Sequence, residues 1–263
     1  MNDYLIKFIA SLKQSNNVRA KRIPTLPDIV RLTDVSSDIN GLKSIPVGIS
    51  KNDLEVVTID YLSNTGNIIS SNKIQNTEKF IRSLLFILSN INNNNLIIID
   101  SLKTLMLDTK VYPNYYNDNF DNVLEKLVEF LDKLLEAKAT NEGIIIIYGV
   151  NKFITKLENT SKLEELIKKV KKYEKISIVL VDDANKIKNY QFDSWFSGNF
   201  ATSDGIWIGK GISDQGLLRL STITREMTRE CKNDMGYVVS EGSGTLVRFI
   251  DFVTKDDGDN NGK

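Results

Sequence analysis

Chemistry in this chain has to be done without imidazole. Its 263 residues contain no histidine and a single cysteine, Cys231. That removes the commonest general base, the Ser-His and Cys-His nucleophile pairs and the usual zinc ligand. A lone cysteine also excludes an intrachain disulfide and a cysteine metal cluster. Carboxylates, lysine, tyrosine or a bound Mg-nucleotide remain, and no catalytic residue or metal ligand is assigned. The stretch whose residues and order point to a definite chemistry is Gly66–Phe80, GNIISSNKIQNTEKF. A short apolar run leads into a polar turn and then into an apolar-periodic helix, the layout of a phosphate-binding loop.

A working loop of this kind reads GxxxxGK[ST]. The glycines let backbone N–H groups close on phosphates, the lysine bridges the outer two, and the hydroxyl holds Mg²⁺. On that frame the glycines fall at Ser71 and Asn76, the lysine at Thr77 and the hydroxyl at Glu78. Glu78 sets a negative charge where a phosphate would lie, a repulsion on the order of 4 kcal/mol at close range. Lys73 lies inside the loop beside Asn72, and Lys79 comes two positions late, so neither substitutes for the missing lysine. The helix N-terminus still attracts an anion, but without glycines the cradle is poor. A motor of this class also ends a later strand with an acidic pair for Mg²⁺ and the attacking water. Here the Ile144–Ile147 run ends in Tyr148-Gly149. The residues therefore read as an ordinary strand–turn–helix unit or as a vestigial nucleotide site, and no bound cofactor is expected.

The elements that must position these residues alternate in type. Ile45–Ile49 and Leu54–Ile59 flank Lys51-Asn52-Asp53 as a hairpin of sheet-edge quality, because Pro46 lacks a donor. The helix after the loop runs from Thr77 to about Leu88, striped by Phe80, Ile81, Leu84, Leu85 and Leu88 and capped by Asn76 or Thr77. Leu96–Asp100, Ile144–Tyr148 and Ile176–Val181 are continuous apolar strands, the kind buried on both faces of a parallel sheet. Tyr112–Tyr116 reads as an aromatic loop, and a long helix follows with Leu124, Leu127, Val128, Leu131, Leu134 and Leu135 on one side. Ser161–Glu164 predicts a capping box before Leu166, Ile167 and Val170. A short helix near Tyr190–Phe196, strands at Gly205–Ile208 and Leu217–Leu220, and a hairpin of Gly236–Val239 with Thr245–Ile250 complete the pattern. The alternation predicts an α/β fold, a central, mostly parallel sheet flanked by helices with edge hairpins. Ligands of such sheets sit at the carboxyl ends of the strands, where Ser71–Thr77, Asp100, Tyr148-Gly149 and Asp182-Asp183 gather.

Domain organisation follows from composition. Residues 1–34 read as an N-terminal helix (Leu5, Ile6, Phe8, Ile9, Leu12) and a linker through Pro24 and Pro27 from a preceding domain. Residues 35–255 form the α/β domain, and 256–263, acidic and rich in Gly and Asn, a disordered tail. Lys+Arg and Asp+Glu both total 34, so the net charge is zero, which argues against a dedicated nucleic-acid binder. No apolar run approaches a membrane span, and Met1–Lys13 lacks a signal-peptide pattern, so the chain reads as cytosolic in itself. Arg225-Glu226 and Arg229-Glu230 read as solvated helix charges. Trp195 and Phe196 are adjacent, so on a helix one of them would be exposed and could line a peptide pocket; Trp207, in an alternating strand, reads as core.

The order of these pieces resembles the FtsK/SpoIIIE-like ATPases. IPTLP, IPVGISKNDLEVVTID, the loop and ISIVLVDD carry the general likeness. GIWIGKGISDQ and TREMTRECKNDMGYVVSEGSGTLVRFI are similar to the C-terminal end of the EssC/EccC coupling ATPases of type VII secretion. The resemblance implies a RecA-like P-loop NTPase fold in which the last of several tandem ATPase domains has an eroded nucleotide site. It implies docking of secreted WXG-type substrates through C-terminal signal peptides, with regulation of the preceding ATPase domains. It also implies a hexameric full-length assembly with a monomeric fragment, at the cytoplasmic face of the bacterial membrane, without nucleic acid. Active members carry a small polar residue and an arginine where this chain has Asp182-Asp183. The vestigial site is thus Ser71, Asn72, Lys73, Asn76, Thr77, Glu78, Tyr148 and Asp182, with Trp195, Phe196 and Trp207 as candidate partner-binding residues. A weak but genuine ATP-binding module and an FtsK-type DNA translocase module stand as alternatives.

Overall fold

The computed structural model describes Lys7, residues 25–35, 41–92 and 95–252. The expected N-terminal helix, the start of the linker and the 256–263 tail lie outside the described residues, Lys7 apart.

The strands are β1 (Ile45–Ser50), β2 (Val56–Ile59), β3 (Gly66–Ser71), β4 (Leu96–Asp100), β5 (Tyr115–Tyr116), β6 (Gly143–Tyr148), β7 (Ile176–Asp183), β8 (Gly205–Ile208), β9 (Met235–Ser240) and β10 (Ser243–Phe249). They form one ten-stranded sheet in the order β2-β1-β10-β9-β8-β3-β7-β6-β4-β5. From β8 to β5 every pairing is parallel. From β2 to β8 every pairing is antiparallel. The two hairpins are therefore not appendages at separate edges; together they build an antiparallel wing joined to the parallel half through β8. Pro46 lies where the β1–β2 register shifts, so its missing donor falls at an irregularity and not in a regular ladder.

The helices are α1 (Glu78–Asn92), α2 (Phe120–Glu136), α3 (Val150–Thr155), α4 (Ser161–Tyr173) and α5 (Ala184–Lys188). The central stretches of β4, β6 and β7 are continuously apolar because alternate residues enter two cores. Ile97, Ile99, Ile145, Ile147, Ile178 and Leu180 pack with the stripes of α2 and α4. Ile98, Ile144, Ile146, Val179, Val181 and Ile69 pack with Phe80, Ile81, Leu84, Leu85 and Leu88 of α1. A period of two in each strand against 3.6 in each helix makes both faces dry.

Several local expectations are corrected. The capping box does not form, because Ser161 is already the first helical residue and Thr160, at the cap, makes no side-chain bond. Asn159 Oδ1 instead accepts from the Ser161 amide at 3.0 Å, and the Glu164 carboxylate accepts from Ser194 Oγ at 2.7 Å. Tyr190–Phe196 is a run of turns following α5, closed by bonds such as Asp193 N to Tyr190 O and Phe196 N to Asp193 O. Leu217–Leu220 is not a strand. Gln215 Oε1 accepts from the amides of Leu217 (2.6 Å) and Leu218 (2.7 Å), and its Nε2 donates to the Leu218 carbonyl (2.8 Å). Those backbone groups are no longer free for a ladder. Part of the aromatic loop is the edge strand β5. The charges at Arg225–Glu230 sit on turns, with Glu226 paired to Lys51 and Glu230 to Lys210.

Candidate functional site

β3 lies inside the parallel half, between β8 and β7, and its carboxyl end opens into the loop. A 3-10 turn, Ile74–Thr77, leads directly into α1, so the strand–turn–helix geometry of a phosphate loop is present. What its polar groups do is set by their partners. Parallel register places Ser71 beside Asp183, and the Asp183 carboxylate accepts a hydrogen bond from the Ile74 amide. The Lys73 amide donates to Ser71 Oγ at 3.2 Å, and the Asn76 amide to the Lys73 carbonyl at 2.9 Å. Thr77, fully buried, turns its hydroxyl back onto the Ile74 carbonyl at 2.7 Å. Chemically, the loop's amides thus face acceptors supplied by the protein itself, one of them a full carboxylate.

The remaining predicted positions point outward or brace the loop. Asn72 Nδ2 donates to the Lys210 carbonyl (3.0 Å), and Asn76 Oδ1 accepts from Asn233 Nδ2 (3.1 Å). Glu78 is held by Arg82 one helical turn on, at 2.8 Å. Lys79 reaches Asp251 at 2.5 Å, and Lys73 is exposed.

Tyr148 ends β6, in the place of the acidic pair that a motor of this class would carry. It is buried, its hydroxyl makes a long contact to the Ile74 carbonyl at 3.5 Å, and burial pushes its phenol up to about 12. Gly149 follows at φ +83°, where an added Cβ would lie 2.5 Å from Ser101 Oγ and 2.6 Å from Leu102 Cγ. Only glycine fits this turn into α3.

The two other carboxylates of this end are structural in their contacts. Asp182, 1 % exposed, accepts the amides of Asn151 (2.8 Å) and Asp183 (2.7 Å), and burial raises its pKa. Asp100, fully buried, accepts from the amides of Leu102, Lys103 and Leu105 and from the Tyr115 hydroxyl, all within 3.2 Å. The structure therefore gathers Ser71, Asn76, Thr77, Tyr148 and Asp182 at one end of the sheet. It adds Asp183 as the direct partner of the loop; two carboxylates closing an adjacent strand were the available signal.

Of the aromatic candidates, Trp207 is core as expected, whereas the Trp195-Phe196 pair differs from expectation. Trp195 and Phe196 are both buried, at 2 % exposure each, because successive turns fold both rings inward. They pack with Phe200 and Tyr190 at centroid separations of 5.2–6.1 Å. Trp207 is fully buried and donates its indole N–H to the Lys210 carbonyl at 3.2 Å. The exposed ring of this region is Phe192, 94 % accessible, in the same FDSWF run. Tyr112, Tyr115 and Tyr116 are half-buried, whereas Met106 beside them is 82 % exposed.

No protein-family model matches the sequence, and no curated protein matches it. Solved structures do. EssC (ATPases 2 and 3) from Geobacillus thermodenitrificans superposes with a TM-score of 0.70 over 93 % of this chain and 48 % of that one, at 15 % identity. Thermomonospora curvata EccC (ATPases 2 and 3) in complex with a signal sequence peptide gives 0.68 over 91 % and 46 %, at 14 % identity. The cytoplasmic domain of EssC gives 0.65 over 93 % and 51 %, at 13 % identity. This chain spans about half the length of the EssC structures it matches. At such identities the likeness is one of fold: the chain has the architecture of the ATPase domains of the type VII secretion proteins EssC and EccC.

Proposed function

We propose that the chain is a nucleotide-silent ATPase-fold domain of a type VII secretion coupling protein. It docks WXG-type export substrates by their C-terminal signal peptides and reports their presence to preceding ATPase domains. The observation that carries the silent-site reading is the Asp183 carboxylate on the Ile74 amide. An internal anion takes the donor that a phosphate would need, and Glu78 and Thr77 stand where Mg²⁺ and phosphate require a hydroxyl and a lysine. These residues do not fit a Mg-nucleotide, and in this reading the domain acts without one. Docking is supported by the fold shared with a protein whose solved structure holds a signal sequence peptide. In this reading the domain works at the cytoplasmic face of the membrane, within a hexameric full-length protein. No described helix is long and apolar enough to cross a bilayer.

One observation favours a second reading, a weak ATP-binding module. Lys73, Lys210 and Lys232 line an open depression beside the loop, together with Asn72, Asn76, Cys231, Asn233 and Glu230, the last paired to Lys210. Calorimetric titration with Mg-ATP separates the two. The silent domain shows no saturable heat below about 1 mM, whereas a Kd near 10 μM, about −7 kcal/mol, would establish the second reading. A zero net charge speaks against the DNA-translocase alternative. Titration with a labelled substrate tail tests docking: saturable binding is expected, and its absence with the folded domain refutes that role.

A further inference from the structure

Residues 25–30 form an entry segment that lies against the end of β10. Val30, fully buried, bridges Ile250, and its carbonyl accepts the Asp251 amide at 2.8 Å. Three residues earlier, the Pro27 carbonyl accepts from Arg248 Nη1 at 2.6 Å. Asp28 lies 3.6 Å from the same nitrogen but is fully exposed, so that ion pair adds little. The rest of the guanidinium is poorly served. Nη2 meets the soft acceptor Met235 Sδ at 3.5 Å, and Nε is buried with no hydrogen-bond partner among the described residues. Asp234 Oδ1 is buried and unpartnered in the same way. The two groups face each other with Arg248 Nε 3.8 Å from Asp234 Oδ2, close enough to attract and too far for a hydrogen bond.

A half-buried guanidinium beside a carboxylate ordinarily closes onto it with two parallel hydrogen bonds, since unpaired donors and acceptors are costly away from water. The backbone here sets the two residues side by side. Met235 pairs with Arg248 in the β9–β10 ladder, and the Asp234 carbonyl accepts the Phe249 amide at 2.9 Å. The Pro27 carbonyl is what holds the guanidinium short of closure. One arginine therefore has two claimants, a backbone carbonyl of the entry segment and a carboxylate of the turn before β9.

We propose that Arg248 is a two-position latch for the entry segment: it holds Pro27 in the position seen, and closes onto Asp234 when that segment is released. A guanidinium keeps its charge throughout the physiological pH range, so the latch answers to the position of the segment and not to proton concentration. The turn that carries Asp234 also braces the loop, because Asn233 Nδ2 donates to Asn76 Oδ1 at 3.1 Å. The latch thus sits between the chain entering the domain and the support of the loop. It requires neither a nucleotide nor a signal peptide and is independent of the reading above.

The test is amide hydrogen exchange by NMR on the whole chain, read at Asp251, whose acceptor is the Val30 carbonyl. The Gly149 amide, bonded to the Val181 carbonyl at 2.8 Å, serves as a remote reference. Asp234→Asn removes charge attraction from both positions, but more from the closed pair than from the 3.8 Å approach. Release should become rarer, and the Asp251 amide should exchange about threefold more slowly. A static ion pair, or a water bridging the two groups, predicts the reverse, because the same substitution then weakens only the arrangement seen. Arg248→Met keeps the stem and removes the hold on Pro27, so exchange at Asp251 should quicken roughly tenfold or more. In that background Asp234→Asn should change nothing further, since the two residues communicate only through the guanidinium. Unchanged or faster exchange at Asp251 in Asp234→Asn, with the reference amide unaltered, overturns the proposal, as does equal slowing by Asp234→Asn in the Arg248→Met background. Should Arg248→Met fail to fold, the direction of the Asp234→Asn effect still decides.

Discussion

Replacing Asp183 by alanine gives the sharpest test of how the loop is held. The residue does two things: one oxygen accepts the amide of Ile74, whose residue is 3 % exposed, and the other meets Lys186 at 2.7 Å. A hydrogen bond to a charged acceptor contributes about 1.5–3 kcal/mol, and its loss here leaves a buried amide without a partner. The ion pair is partly solvated, with side-chain exposures of 42 % and 20 %, and so adds at most about 1 kcal/mol. Asp183→Ala should therefore destabilise the protein by about 2–4 kcal/mol, which at this chain length lowers Tm by roughly 5–15 °C. Asp183→Asn keeps a carbonyl acceptor and should lose less than half of that. Urea unfolding followed by tryptophan fluorescence gives the free energies, and hydrogen exchange at the Ile74 amide gives the local effect. Alanine within about 0.5 kcal/mol of the parent, with the Ile74 amide still protected, would refute the role of Asp183 as the loop's internal anion.

Further outcomes follow from the same structure. Gly149→Ala sets a Cβ at φ +83°, 2.5 Å from Ser101 Oγ, and should destabilise by about 2–4 kcal/mol in thermal or urea unfolding. Burial, and then Asp234, push the Cys231 thiol up to about 11, so below that pH it stays protonated. Iodoacetamide at pH 8 should label the folded protein on the order of a hundredfold more slowly than the urea-unfolded chain. The sign for stability is that this thiol favours the fold below its unfolded pKa, and the contribution is lost as pH rises through about 11. Trp195 and Trp207, both at most 2 % exposed, should emit at short wavelength and resist iodide quenching; ready quenching would show that one ring reaches the surface.

How far the sequence could be read depended on the range of the interactions involved. The apolar runs of β4, β6 and β7 and the stripe of α1 were legible because period and length are local properties. The absent glycines at Ser71 and Asn76 were legible for the same reason, since each position of a phosphate loop has its own chemical requirement. Capping failed where a neighbour could compete. Asn159 and Ser194 took the partners expected at Ser161 and Glu164, and Gln215 took the backbone groups that would have made Leu217–Leu220 a strand. Adjacent side chains such as Trp195 and Phe196 diverge on a helix, but the turns of this segment bury both rings.

By itself, then, the sequence determined an α/β chain with buried parallel strands and a loop without the residues of the GxxxxGK[ST] pattern, because those features follow from residue type and spacing. The tertiary structure alone decided what the loop's amides meet. Asp183 meets Ile74 across 109 residues only because β3 and β7 pair in parallel with one register. Asn72 likewise meets the Lys210 carbonyl across 138 residues only because β3 and β8 lie side by side. Neither meeting leaves a local pattern, since long crossovers between parallel strands set contacts that no window of neighbouring residues contains.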